Sequence, residues 1–219
     1  MKSFIKKHEY NYILKCLSDL NNTLRNCVDA NIVETNKLYI QGKILSLFQS
    51  LEEEEKALLD ISKITDPLHI DKYLADLNEY VSDMPRITNA QITKLFKKEK
   101  KLKLPTEEAL KSKKVYLSWI DEATKKLFVV YNMNNKFIGM TCKLSNFNSN
   151  TTNICALCNH IGVENEVATV SSICKTSNPS EDSYKSIGFH ICLDSKKCNE
   201  RIVSTEKLEK LLKEVNNLK

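Results

Sequence analysis

Hydrophobic residues in the first 84 positions recur every three or four residues, the spacing of one face of an α-helix. Four segments carry this pattern, at 4–27, 38–48, 57–61 and 68–81. The connections between them are short, so we expect four helices packed as an antiparallel bundle. Cys16 and Cys27 fall on apolar positions of the first segment and are predicted to lie in its core.

Local signals indicate where several helices begin and end. Glu52 opens a run of four carboxylates at the start of the third segment, where the helix dipole favours negative charge. Asp66 followed by Pro67 predicts an N-cap and a first helical residue for the fourth helix. Pro85 predicts its end. Thr88 begins a capping-box pattern, so a fifth helix is expected there.

The fifth helix is predicted to continue into a lysine-rich segment that ends before Pro105. Its basic residues are Lys94, Lys97, Lys98, Lys100, Lys101 and Lys103. Apolar residues are interleaved with them, so one side of the segment can pack while the other carries charge. Two interpretations remain open, a solvated helix face and a docking surface for an acidic partner.

After Lys114 the pattern changes to short runs of β-branched and aromatic residues. Three runs, at 115–120, 126–131 and 137–144, predict an antiparallel meander with a turn at 132–135. The polar stretch 145–153 is interpreted as a loop. Two later runs, 166–174 and 184–192, predict a hairpin with its tip at 178–180.

Polar residues near the end of the chain predict where a short turn and a final helix begin. Asp194 or Ser195 caps a short turn, and Ser204 or Thr205 caps a final helix. The apolar positions of that helix are Leu208, Leu211, Leu212 and Val215.

The balance of charge changes where the hydrophobic pattern changes. Residues 1–84 contain 10 basic and 14 acidic residues, a net charge of −4, and residues 85–219 contain 23 and 14, a net charge of +9. We interpret the chain as a helical bundle domain at 1–84 and a basic domain at 85–219. The basic domain favours an anionic partner, such as nucleic acid, a ribonucleoprotein or an acidic protein face.

Four cysteines in the basic domain have the spacing of a structural zinc site. Cys155 and Cys158 are separated by two residues, and Cys192 and Cys198 by five. Four thiolates around one zinc ion form a closed tetrahedron with no position for water, so such a site supports folding and not catalysis. The alternative is a set of four buried free thiols.

Other residues near these pairs compete as ligands. His160 could replace a sulfur, and Cys174 is interpreted as a packed strand residue. His190 alternates with Cys192 on the expected strand, so both side chains should point to the same face. It is a candidate hydrogen-bond donor to a ligand, or a surface contact.

The chain lacks the common signatures of catalysis and of membrane insertion. With 4 glycines it can hardly form a glycine-rich phosphate loop, and no Ser/His/Asp or Cys/His arrangement stands out. We therefore expect a non-enzymatic protein, with a metalloenzyme as a disfavoured alternative. There is no run of about eighteen apolar residues and no signal peptide, so we expect a cytoplasmic protein.

Cysteine knuckle, hairpin and helix follow one another in the order of a treble-clef zinc finger. The whole chain is thus predicted to be α+β, a helical bundle followed by an α/β domain with a treble-clef, four-cysteine zinc finger. Three of its segments, 94–105, 154–159 and 188–199, together with the Trp119 strand, resemble the FusB-type fusidic acid resistance proteins and their relatives, the elongation factor G-binding proteins. The five-residue gap in the second cysteine pair is also the gap of that family.

This resemblance implies a protein that binds elongation factor G through its C-terminal domain and releases ribosome complexes stalled by fusidic acid. Resistance members are expected to carry aromatic residues or a lysine near the zinc cysteines and in the last helix. Here the corresponding positions hold Ile154, Ile187, His190 and Leu211. The fold and the zinc site are therefore expected to carry over more fully than the strength of factor binding.

Two functional hypotheses remain after the resemblance. The first is a binding module for elongation factor G, with Lys185 and His190 beside the third cysteine as contact residues. The second is a zinc protein that binds RNA or the ribosome directly. The chain has 3 Arg against 30 Lys, which disfavours sequence-specific binding because bidentate base recognition favours arginine.

Overall fold

Residues 2–111, 113–145, 151–175 and 184–218 are described by the structure, a computed structural model. Their contacts separate the chain into two units, Met1–Ser82 and Asp83–Lys219. No helix in these described ranges is both long enough and apolar enough to span a membrane.

Four helices form the first unit, as the hydrophobic spacing predicts. They are α1 (Lys7–Asn26), α2 (Ala30–Leu45), α3 (Glu53–Leu58) and α4 (Leu68–Asn78). Helix α1 packs against α2 and α4. Its residues Ile13, Leu17 and Leu20 are fully buried in one apolar cluster. The helical character predicted for residues 1–84 is confirmed.

Helix α2 differs from the predicted pattern. It begins earlier, because the Asp29 carboxylate caps it by accepting a hydrogen bond from the Asn31 amide at 2.8 Å. Leu38, expected on the apolar face, is 65% exposed, whereas Ile40 and Ile44 are buried. Leu38 was placed wrongly, because α2 is apolar on several sides and packing selects the buried one, whereas Ile44, Leu45 and Phe48 pack in the core as predicted.

The predicted end of the fourth helix at Pro85 is also wrong. Helix α4 ends at Asn78, and Val81 forms a parallel bridge with Ile5. The Tyr80 carbonyl accepts hydrogen bonds from the amides of Phe4 and Ile5. The segment after α4 therefore leaves the helix because its backbone pairs with the beginning of the chain.

The start signals of the helices are largely confirmed. Glu52 and Thr88 are N-caps with capping boxes. Pro67 occupies the N-cap of α4 instead of its first turn, while the Asp66 carboxylate accepts from the Leu68 amide at 2.7 Å. Cys16 is buried as predicted, but Cys27 lies half-buried at the end of α1 and is not a core residue.

In the described residues of the second unit there are seven strands and four short or medium helices. The helices are α5 (Asn89–Leu95), α6 (Glu107–Leu110), α7 (Ser195–Arg201) and α8 (Glu206–Asn216). The strands are β1 (Leu117–Asp121), β2 (Lys126–Met133), β3 (Lys136–Leu144), β4 (Thr152–Ile154), β5 (Ile161–Val163), β6 (Val167–Ile173) and β7 (Ser186–Cys192). The main sheet has the order β1-β2-β3-β6-β7, and β4-β5 form a separate ribbon. All paired strands are antiparallel, so the chain is α+β as predicted.

Both predicted strand assemblies are present, with adjusted boundaries. The β2–β3 turn contains only Asn134 and Asn135, with left-handed φ values of 50° and 62°, as a two-residue hairpin turn requires. The predicted tip at 178–180 lies outside the described residues, as do 146–150 in the predicted loop. Thr152 and Asn153 of that loop belong instead to β4.

Alternating side chains divide the core of the second unit between the two faces of the main sheet. On β2, Leu127 and Val129 join the cluster that includes the cysteines and α8. Phe128 and Val130 join a second cluster with Ile92 of α5. The cysteine cluster and the lysine-rich segment after α5 are thus associated with opposite faces.

The lysine-rich segment is not the continuous helix that its pattern predicts. Helix α5 ends at Leu95, and Phe96 takes non-helical dihedral angles, φ −109° and ψ 36°. The Phe96 ring is buried against Trp119 and Phe128. The helix therefore ends where the Phe96 ring packs against residues of the sheet. Helical periodicity in the sequence does not reveal such a long-range contact.

We predict that a fragment of residues 1–84 folds without the rest of the chain, because the first unit contains its own apolar cluster. It should show a helical circular dichroism spectrum and a cooperative thermal transition. A domain of this size is marginally stable, so its transition should be measured against the full-length chain. A fragment that is unfolded at low temperature would contradict the prediction.

A candidate metal centre

A tight turn between β4 and β5 carries the first two cysteines. The Cys155 amide donates to the His160 carbonyl at 2.8 Å, and the Asn159 amide donates to the Cys155 carbonyl at 3.0 Å. Asn159 has a left-handed φ of 59°, which asparagine tolerates better than most residues. These contacts fold the chain back, and the turn supplies Cys155 and Cys158 to one cluster.

The other two cysteines come from β7 and α7. Cys192 is the last residue of β7, and Cys198 lies in α7. The Asp194 side chain caps α7 by accepting from the Lys197 amide at 3.0 Å, as predicted. The Ala156 amide donates to the His190 carbonyl at 2.8 Å and so ties the cysteine turn to the end of β7.

The four sulfur atoms have the spacing of a tetrahedral metal site. All lie within 4.8 Å of one another, with Cys155 and Cys198 at 3.9 Å and Cys158 and Cys192 at 3.6 Å. A regular tetrahedron with metal–sulfur bonds of about 2.3 Å separates its sulfurs by about 3.8 Å. The side chains fit a single metal ion without rearrangement.

Mutual hydrogen bonding shifts the pKa values of the clustered thiols in opposite directions. Hydrogen bonds from Cys158, Cys192 and Cys198 lower the pKa of Cys155, whereas hydrogen bonding with Cys155 and its neighbours raises the pKa of Cys198. Such opposite shifts are typical of sulfurs that are close enough to share protons. A divalent metal ion balances the charge and allows all four thiolates to form together.

Tyr116 supplies a further indication of an ionised sulfur. Its side chain is fully buried, and its hydroxyl has no nitrogen or oxygen partner among the described residues. Burial, followed by the proximity of Cys198, raises the pKa of this hydroxyl well above its usual range. A buried hydroxyl without a partner is costly, and a metal-bound thiolate at Cys198 would accept its proton in a hydrogen bond.

The competing ligands remain outside the cluster. His160 and His190 contribute carbonyl groups to the cysteine turn, and neither imidazole belongs to a metal-binding group of the described residues. Cys174 is buried just after β6, and its amide donates to the Lys185 carbonyl. It is a packed residue as expected, although the strand ends one position before it.

Lys185 lies just before β7, at the opposite end of the strand from Cys192, and the contact roles of Lys185 and His190 stay predictions. Lys185 lies seven positions before Cys192 in extended chain, a distance of about 23 Å. Lys185 instead pairs with Glu214 of α8 at 2.7 Å, which raises the pKa of Lys185 and lowers that of Glu214. The expectation that Lys185 lies beside the metal centre was wrong because position in the sequence overstates proximity along a strand.

An exposed apolar patch lies on the ribbon that carries the cysteine turn. Ile154 and Ile161 face each other across β4 and β5, and Val163 lies two positions further on the same face. Their side chains are 56%, 61% and 43% exposed. Lys207 at the start of α8 donates to the Asn159 side chain at 3.0 Å and so links α8 to the turn between β4 and β5.

Asn199 is a key residue whose role the sequence pattern did not reveal. Its buried side-chain oxygen accepts from the amides of Val115 and Tyr116 at 2.7 and 3.0 Å. Its side-chain nitrogen donates to the carbonyls of Tyr116 and Ser195. The side chain next to Cys198 thus ties α7 to the chain entering β1. No spacing rule reports such a contact between residues more than 80 positions apart.

We predict that Asn199→Ala destabilises the second unit by about 2 to 4 kcal/mol, because it leaves two buried amides without acceptors. Urea unfolding of the metal-bound protein measures this change. The control is Glu200→Ala, an exposed neighbour on the same helix, which should change stability by less than about 0.5 kcal/mol. Equal stability of the two variants would refute the assigned role.

Comparisons with known proteins agree with this architecture. A family model described as "Elongation factor G-binding protein, N-terminal" matches residues 4–85. A second, described as "FBP C-terminal treble-clef zinc-finger", matches residues 88–217. Comparison with curated protein sequences finds no match.

A solved structure of the fusidic acid resistance protein FusC has a similar fold, with a TM-score of 0.77. The two sequences are 25% identical, and the alignment covers 98% of each chain. The family models together account for both units, and the order of cysteine turn, hairpin and helix is that of the matched treble-clef finger. The chain therefore belongs to the FusB-type family of elongation factor G-binding and fusidic acid resistance proteins.

Proposed function

We propose that this protein binds elongation factor G through its second unit and promotes release of the factor from ribosomes blocked by fusidic acid. The observation that carries the proposal is the match of both units, almost end to end, to models of elongation factor G-binding proteins. The likeness to a fusidic acid resistance protein over 98% of the chain supports the part that concerns the drug.

Zinc is the metal that we propose for the four-cysteine site. Four thiolates in a tetrahedron favour zinc over the hard cations, which prefer oxygen ligands. Three of the four cysteines are buried, and Cys158 is half-buried. A site closed by four sulfurs leaves no position for a substrate, so the proposed role of zinc is to hold the fold. The function is accordingly a binding function and not an enzymatic one.

The proposed contact surface is the apolar patch of Ile154, Ile161 and Val163 together with the neighbouring exposed face of α8. Exposed apolar groups beside a rigid metal centre are suited to docking, since they lose little conformational freedom on binding. Leu211 on α8 is half-buried and packs against the core, so it contributes less to such a surface. The positive charge of residues 85–219 would accelerate encounter with an acidic protein face.

His190 and Lys185 are secondary contacts in this proposal. His190 lies at the cysteine turn, near Ile154, and is partly accessible. Lys185 already neutralises Glu214, and an exposed ion pair of this kind contributes little to stability. Replacing Lys185 with alanine should therefore change mainly the salt dependence of binding, and only slightly its strength.

For zinc, we predict one tightly bound ion per chain and its loss in Cys192→Ser, together with unfolding of the second unit, because metal binding and folding are coupled. Elemental analysis and circular dichroism measure the two effects. The control is Cys174→Ser, which replaces a buried thiol outside the sulfur cluster and should keep the metal. Full zinc occupancy in Cys192→Ser would refute the assignment.

For factor binding, we predict that Ile154→Asp weakens the affinity for purified elongation factor G by about tenfold or more, roughly the loss of a single interface anchor. Ile154→Phe should tighten binding if the surface is shared with the resistance members. The matched control is Ile32→Asp, because Ile32 on α2 has the same exposure of 56% and lies in the other unit. Calorimetry at fixed salt gives all affinities.

Two results would contradict the proposal. One is the absence of any complex between the zinc-bound wild-type protein and elongation factor G. The other is an equal loss of affinity in the Ile154 and Ile32 variants, which would place the contact elsewhere. Release is tested separately by sedimenting ribosomes with elongation factor G and fusidic acid. The protein should lower the amount of factor that sediments, and Ile154→Asp should not.

A further inference from the structure

A lysine-rich segment, here called the lysine strap (residues 94–105), joins α5 to α6 on the side of the sheet away from the cysteine cluster. Its six lysines lie within ten residues and are all exposed. Its one acidic residue, Glu99, pairs with Lys126 of β2 at 2.6 Å. The strap therefore presents its positive charges to solvent without a balancing carboxylate of its own.

The backbone of the lysine strap is held firmly although it is not helical. The Phe96 ring packs edge-on against Trp119 and Phe128, with centroids 5.7 and 5.1 Å away. Phe96 reaches the sheet beside Gly139, where a Cβ atom would lie 2.7 Å from the ring. Because Gly139 has no side chain, the Phe96 ring can pack against the sheet at this position.

A second anchor fixes the other end of the strap. The Trp119 indole donates to the Lys103 carbonyl at 2.7 Å. Together with Phe96 and the Glu99–Lys126 pair, it holds the segment at three points. These three anchors use aromatic rings, a carboxylate and a backbone carbonyl, so none of them occupies a lysine side chain of the strap.

The ammonium groups of the strap remain available for a partner. Among the residues that the structure describes, none forms an ion pair within 4.0 Å of them. Lys103 does act on Asp121, whose pKa is lowered mainly by a hydrogen bond from Thr124 and, to a smaller extent, by the charge of Lys103. The lysines are thus a preorganised set of cations with few internal partners.

The chemistry of the strap fits a phosphate backbone better than a protein surface. Protein interfaces depend on exposed aromatic and arginine anchors and are depleted in lysine. The strap contains no arginine, and its one aromatic residue, Phe96, is buried. Contacts to nucleic-acid phosphates require positive charge but little shape complementarity between the two surfaces. Single ammonium groups do not read bases in the bidentate way of arginine.

We propose that the lysine strap binds the phosphate backbone of RNA, independently of sequence. The interaction is separate from the contact proposed for elongation factor G, which uses the ribbon and α8. A protein with both surfaces could engage RNA and the factor at the same time.

The test measures binding of the full-length, metal-bound protein to a fluorescent RNA duplex of about 20 base pairs, at roughly 50 to 200 mM salt. The variant carries Lys97→Gln, Lys98→Gln, Lys100→Gln and Lys101→Gln. Its affinity at low salt should fall about tenfold or more, and the slope of log affinity against log salt should fall by about 3 to 4, nearly one for each lost phosphate contact.

The matched control replaces four exposed lysines of the first unit, Lys2, Lys15, Lys63 and Lys72, with glutamine. Each set lowers the net charge by four, from +5 to +1. The control should keep its salt slope to within about one unit of wild type. A third variant with arginine at the four strap positions should bind RNA as wild type does, because it keeps the charge. Thermal melts and metal content establish that all variants are folded.

Three outcomes would overturn the proposal. The wild-type protein could fail to bind the duplex at low salt, or the strap and control variants could lose affinity equally. Alternatively, the strap variant could keep RNA binding and lose affinity for elongation factor G, which would make the strap a protein-docking surface. Because the factor is titrated separately, failure of RNA binding is distinguishable from failure of the proposed function.

Discussion

The meeting of four sulfur atoms is the constraint on which the second unit depends. Cys155 and Cys158 come from a turn between two three-residue strands, which is too short to be stable alone. Cys192 and Cys198 come from the end of β7 and from α7. A metal ion at their centre would join these pieces, and its binding energy would become folding energy. The side-chain amide of Asn199, next to Cys198, ties this part of the chain to the segment entering the main sheet.

The main sheet separates two surfaces with different chemistry. On one side, the metal centre positions an apolar ribbon and α8, and these surfaces suit a protein partner. On the other side, an aromatic cluster holds a cationic strap. Each surface is supported by rigid packing from the same strands, since alternate residues of β2 enter the two clusters.

Local chemistry was the most reliable part of the sequence-based predictions. Glu52 and Thr88 begin helices as expected, because capping involves only neighbouring residues. The strand pairs were recovered because alternation and turn residues are also local. The errors occurred where distant residues compete. Tyr80 and Val81 leave the helix to pair with the first residues of the chain, and Phe96 ends α5 by packing on the sheet.

The sequence by itself determined the α+β class, the change from helices to strands after Lys114 and the four cysteines with metal-site spacing. Hydrophobic periodicity, net charge and the spacing of metal ligands depend only on residues that are close in the sequence, so they can be recognised without a structure. Tertiary structure decided which face of α2 is buried, that Lys185 pairs with Glu214 instead of lying beside the third cysteine, and that Asn199 ties α7 to β1. Tertiary structure also decided that the lysine-rich segment is mostly not helical and is held against the sheet by Phe96 and Trp119. These features depend on contacts between residues far apart in the chain, for which no local pattern exists.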